Sequence, residues 1–169
     1  MSLREEILKE HSKSQALKIA SYACESRKNF KELIKCFLDD ECRLAQRAAW
    51  SVGWAARQKP QMIHPHIKDL VSVLYKKNVH HAVIRNSVRV LQEIEIPEKF
   101  HGKVMEACFQ FLEKPSTPVA IKVFSLTTLF NLSKYYPEIK PELKLIIEDN
   151  LEHETPAFRA RVKRVLPKL

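Results

Sequence analysis

Apolar positions along the chain recur at helical rather than strand spacing. Phe30, Leu33, Ile34, Phe37 and Leu38 follow one another at intervals of three, one, three and one, which places them on one narrow side of a helix. Ahead of them, Leu3, Ile7 and Leu8 mark a short amphipathic turn or helix over 3–10, and Gln15 to Cys24 reads as another helix after Ser12. Asp39, Asp40 and Glu41 are predicted to close the helix at 29–38 and to supply cap and first-turn acids for the next. That next stretch, Arg43 to Arg57, is a run of helix formers broken only by Gly53, and it ends near Pro60 because proline cannot continue the hydrogen-bond ladder. A helix from about His66 to Tyr75 follows, with Lys76 and Lys77 as favourable charges at its C-terminal end.

The pattern then repeats. Residues 43–60, RLAQRAAWSVGWAARQKP, lie over 120–137, AIKVFSLTTLFNLSKYYP, at an offset of 77, with a half-step between them at HAVIRNSVRVLQEIEIP. Thr117-Pro118 and Thr155-Pro156, 38 residues apart, each offer Thr as N-cap and Pro at the first helical position. Arg85, Lys122 and Arg159 stand 37 apart, each after an apolar residue. A period of this length means stacked helix pairs. The helix between Pro118 and Lys134 is apolar on more than one side, as a helix sandwiched between neighbours must be. Second helices are expected near 29–38, 66–76, 98–112 and 141–151. Their outward candidates shift from basic (Lys31, Lys35, Lys68) through His101, Lys103 and Glu106 to acidic (Glu142, Glu148).

In the segments Asp40–Gly53, Asn78–Leu91, Ser116–Leu129 and Glu154–Leu166 an apolar residue, usually followed by a base, precedes small or apolar residues three or four positions on. In this the chain resembles the HEAT-repeat family and, more broadly, the armadillo-like superhelices. The resemblance implies an all-α fold, a right-handed α–α superhelix of about four stacked helix pairs forming a single domain over 1–169. Its parts would be an N-terminal extension at 1–11, repeats at 12–40, 41–77, 78–114 and 115–154, and a C-terminal capping helix at 155–169. The family commonly pairs an Asp in the turn with an Arg that opens a helix. Ala45 replaces that base in one repeat and the later turns lack Asp, so a regular Asp–Arg ladder is not expected.

Composition narrows the chemistry. With only 2 glycines, the chain has no Gly-rich phosphate loop. Its four cysteines lack C-x-x-C spacing and read as reduced core or surface thiols. His64, His66, His80 and His81 have no Cys or acidic residue at ligand spacing, so no metal site is expected. No catalytic residue and no cofactor are assigned. Apolar runs are too short to cross a bilayer, and the charged start has no apolar signal segment, so a cytoplasmic protein without membrane insertion is expected. The net charge of +9 is concentrated in 42–99 and in 155–169, the latter holding five bases and no acid.

Two candidate faces result. Arg43, Arg47, Trp50, Trp54 and Arg57 recur at four, three, four and three, so they stack into one stripe on a helix. Aligned positions in the other repeats are Val90, Thr127 and Arg164 for Trp50, and Ile94, Asn131 and Lys168 for Trp54, which points both tryptophans outward. Two arrangements stay open. Either the N-terminal segment lies over the pair as a cap, or the pair is open and flanked by three arginines for a partner. The second face is Arg159, Arg161, Lys163, Arg164 and Lys168, with Phe158, Val162, Val165 and Leu166 as its buried edge. Val162 and Val165 are also expected to offer a surface for a second copy of the chain, making a homo-oligomer. The functional expectation is a non-enzymatic scaffold for a protein partner. The alternative is nucleic-acid binding, since the chain is loosely similar to HEAT-like alkylpurine DNA glycosylases, a similarity that implies possible glycosylase activity although none of their motifs is matched residue by residue.

Overall fold

A computed structural model describes residues 2–169. Met1, the first residue of the expected N-terminal extension, lies outside the described residues. These form α-helices joined by turns and short 3-10 segments, with no strand among them, and the chain divides into two compact units, Met1–Ile94 and Glu95–Leu169.

In the first unit the chain runs through α1 (Leu3–Lys9), α2 (Lys13–Ala23), α3 (Arg27–Phe37), α4 (Cys42–Gln58), the single turn α5 (Pro60–Ile63), α6 (Ile67–Val73) and α7 (His81–Leu91). Serines 2, 12 and 26 each cap the helix that follows by accepting a backbone N–H. In α1 the Glu5 carboxylate also reaches back to the Ser2 N–H at 2.9 Å, completing a capping box. Helix α4 is the centre of this unit and packs against α1, α2, α3 and α7. Leu44, Ala48, Val52 and Ala55, all fully buried, form its core face. Its small residues let neighbours approach closely. A Cβ on Gly53 would stand 3.0 Å from Oδ1 of Asn86, a buried α7 residue whose amide nitrogen donates to Ala82 O at 2.8 Å. The turn before α7 passes through Asn78 at φ 61°, a left-handed conformation that Asn tolerates better than most residues.

The acidic turn before α4 works differently from the expectation. Glu41 is the N-cap residue without a side-chain cap bond, and the first turn of α4 holds no acid. Instead Asp39 Oδ1 accepts the Glu41 N–H at 2.9 Å, which, with Arg4, holds its carboxyl below the usual range. Arg4 bridges Asp39 and Glu41, so these acids tie α1 to the α3–α4 turn.

The second unit holds α8 (His101–Glu113), α9 (Val119–Leu132), α10 (Lys140–Asn150) and α11 (Pro156–Val165). Helix α9 packs on α8 and α11 and buries residues around much of its circumference, Ile121, Ser125, Leu126, Thr128, Leu129 and Leu132 among them, in agreement with its pattern. Cys108 is buried with them, which pushes its thiol up to about 12. The four cysteines are free thiols, and Cys42 alone among them is exposed.

Three expectations in this unit are corrected. Thr155 caps α11 by accepting the Phe158 N–H, but Thr117 does not cap α9. Pro118 takes the extended cap conformation itself, φ −54° and ψ 140°, so α9 starts one residue later. His101 is buried rather than outward: Nε2 donates to Ile96 O at 2.7 Å, and Nδ1 lies 3.1 Å from the Tyr136 hydroxyl. Val162 and Val165 are 3% and 4% exposed, because this edge of α11 is spent against α9 rather than left open for a second copy. Where the Asp–Arg ladder is missing, Lys122 of α9 forms a buried ion pair with Glu154, their side chains 7% and 10% exposed.

Candidate functional site

The five residues of the stripe share α4 but meet different surroundings. Arg43, on its first turn, is exposed and makes no ion pair with any described residue. Arg47 turns inward to the end of α1, where its guanidinium donates to Leu8 O at 2.6 Å and lies 3.5 Å from Ile7 O. Those carbonyls have no partner within their own helix, and a cation at a helix C-terminus is favourable, so Arg47 clamps α1 onto α4. Trp50 is half-buried beside the α1–α2 junction, edge-on to His11 with ring centroids 5.6 Å apart. Ile7, Glu10, His11, Gln15 and Arg47 surround it, and the crevice left there is about 10 Å³, roughly room for one water. The N-terminal segment therefore covers Trp50, as one of the two arrangements proposed. Leu3 and Ile7, meanwhile, enter the core itself.

Trp54 lies one turn further along α4, half-buried and packed against the core, with its Nε1 buried and without a hydrogen-bond partner among the described residues. Three cationic groups stand over its ring. Lys13 Nζ is 5.5 Å from the centroid, the Arg57 guanidinium 5.7 Å and the Arg89 guanidinium 5.8 Å. Lys13 and Arg89 come from α2 and α7, which flank α4, so neither is visible in the stripe's own periodicity. Arg57 is bound to Glu93 through two hydrogen bonds, Nε at 2.8 Å, which raises its affinity for its proton. Arg89 is half-buried and forms no ion pair with any described residue; burial and, next, the charge of Arg57 push its pKa down. Lys13 is exposed and likewise makes no ion pair with any described residue.

The basic C-terminal face divides in the same way. Arg159 donates from Nε to Leu151 O at 3.1 Å and from its terminal nitrogen to Glu152 O at 2.7 Å, satisfying carbonyls of the preceding turn. Arg161 donates to Thr127 Oγ1 at 2.6 Å, and burial followed by the nearby Arg164 lowers its pKa. Lys163, Arg164 and Lys168 remain exposed. Arg159 and Lys163, with Leu151, Glu152, Val162, Leu166 and Pro167, line an open groove of about 640 Å³.

Among the described residues no three His, Cys, Asp or Glu side chains gather as metal ligands, and no helix is long and apolar enough to cross a membrane. Of the two candidate faces, then, Trp54 with its three cations is the assembled one. Neither the search of curated proteins nor that of solved structures gives a match. Residues 3–169 match the HEAT repeat domain, and with the helix pairs and buried faces described above, the chain belongs to the HEAT-repeat family.

Proposed function

We propose that this HEAT-repeat domain is a non-enzymatic scaffold that binds another protein through the outer face of α4. Arg43, Trp54 and Arg57 of the stripe, joined by Lys13 and Arg89, form the contact, whereas Arg47 and Trp50 hold the N-terminal segment in place. The observation that carries this reading is Trp54. A large aromatic left partly at the surface with cations over it has the composition of an interface anchor, since Trp and Arg dominate the energetics of protein interfaces. The test is cross-linking from position 43, with a photoreactive phenylalanine in place of Arg43, in extract of the source organism. A captured protein whose yield falls at least about tenfold with Trp54→Ala, one hot-spot residue's worth, and stays unchanged with Lys168→Glu supports the reading. Capture that ignores Trp54→Ala, in a variant shown to keep its helical content, refutes it.

A second reading rests on Lys163, Arg164 and Lys168, exposed in a segment without acids. Three free bases suit a polyanion, and DNA or RNA would then bind with an affinity that falls steeply as salt rises. Release of alkylated purines from DNA belongs in the same assay. Absence of binding at low salt, where phosphate contacts are strongest, rejects this reading.

A further inference from the structure

We infer that the Trp54 cluster is a receptor for acidic side chains, so that the protein docking on α4 does so through a run of carboxylates; this deepens the proposed scaffold role and rests on it. Three positive groups from α2, α4 and α7 converge over one indole, and among the described residues the only acid ion-paired to any of them is Glu93, on Arg57. Attraction between a cation and a ring offsets part of the repulsion among the three groups. It supplies no acceptor for their N–H donors. The five N–H groups of the Arg89 guanidinium make no hydrogen bond to any described residue. An arriving carboxylate would supply both the missing charge and the missing acceptors, and charge-assisted hydrogen bonds are the strong kind.

The same geometry separates a peptide from a nucleic acid. A base stacked on tryptophan needs an open ring face. Here the indole is half-buried against the core, its Nε1 is buried, and three cationic groups stand over the ring within 5.8 Å of its centroid. The indole is a platform that holds cations in place. Glu93 already occupies Arg57, so a ligand carboxylate gains most by contacting Lys13 and Arg89.

The test uses the full chain carrying Trp50→Phe, which leaves Trp54 as the sole tryptophan. Its emission is followed at low ionic strength while acetylated hexaglutamate, hexaglutamine or hexathymidylate is added. Hexaglutamate should shift or quench the emission saturably, hexaglutamine should not, and Lys13→Gln or Arg89→Gln should each weaken hexaglutamate binding about tenfold, the loss of one charge-assisted contact. Lys13 is exposed, so its variant keeps the result interpretable should the Arg89 variant unfold. No saturable change with hexaglutamate, an equal response to hexaglutamine, or hexathymidylate binding as tightly as hexaglutamate overturns the inference. Capture of a protein that depends on Trp54 but is indifferent to Lys13→Gln and Arg89→Gln also overturns it, while leaving the scaffold reading intact.

Discussion

The buried pair of Lys122 and Glu154 makes the sharpest demand on stability. Both charges sit on side chains no more than 10% exposed, so each relies on the other for most of the solvation it has given up. Removing one partner of such a pair leaves a buried charge uncompensated, which typically costs about 3–5 kcal/mol. Replacing both by apolar groups of similar shape is often neutral or stabilising. Glu154→Gln should therefore destabilise the second unit by about 3 kcal/mol or more, because the ammonium is left facing a neutral amide. Lys122→Met should cost a similar amount, because it leaves the Glu154 side chain buried without its partner. The double variant Lys122→Met/Glu154→Leu should return to within about 1 kcal/mol of the parent. Against a typical total of about 5–15 kcal/mol, the single losses are large enough to measure. Urea unfolding of the full chain, read by circular dichroism and by hydrogen exchange at the amides of α9 and α11, gives the four corners of the cycle. Single losses under about 1 kcal/mol, the behaviour of a surface pair, would refute the reasoning. So would a double variant whose loss equals the sum of the singles, because the pair would then be uncoupled.

Three further outcomes follow from contacts described above. Arg47→Met keeps the bulk of the side chain but removes its bonds to the α1 carbonyls, so α1 amides should exchange faster while those of α6 hold their protection; unchanged α1 protection would rule out the clamp. His80 caps α7 by accepting the Ala82 N–H on Nδ1 at 3.1 Å, which needs an unprotonated nitrogen, and burial first, then His81 and Arg85, hold its pKa below the usual value. Its stabilising contribution is thus complete above the ordinary histidine value of about 6.5 and is lost as pH falls through the lower folded value; with Asp39, Asp40, Lys76 and Lys77 around the same cleft held constant, His80→Asn should flatten the acid-side loss of stability, and an unchanged slope would contradict this. Thiol labelling in the folded chain should proceed at Cys42, which is exposed, and not at Cys108, buried and with its thiol pushed up to about 12, a difference that mass spectrometry of the labelled peptides reads directly.

The helices were legible because their signal is local. The spacing of Phe30, Leu33, Ile34 and Phe37, or of Leu44, Ala48, Val52 and Ala55, reports a buried face whatever lies opposite, and these residues are indeed core. The stripe on α4 was legible as a face but not as a site, because its meaning depends on neighbours distant in the chain. Arg47 bonds to a carbonyl 39 positions away, and Arg57 to an acid 36 positions away. Lys13 and Arg89 belong to other helices altogether, and only the packing of α2 and α7 on α4 brings them to Trp54. His101 was misplaced for a similar reason. Its position suited an outward residue, but two acceptable partners for its ring nitrogens lie inside. Repeat alignment also overstated the likeness of Thr117 to Thr155, since a threonine before proline can leave the cap conformation to the proline itself.

The central place of α4 bears on how the first unit comes apart. In an array whose modules touch only their immediate neighbours, stability is close to a running sum and the ends can fray independently. Here α1, α2, α3 and α7 all rest on the same helix, so opening α4 withdraws support from all four at once. The 94 residues of this unit should accordingly melt as one cooperative block, with no half-folded fragment left behind by a cut within α4.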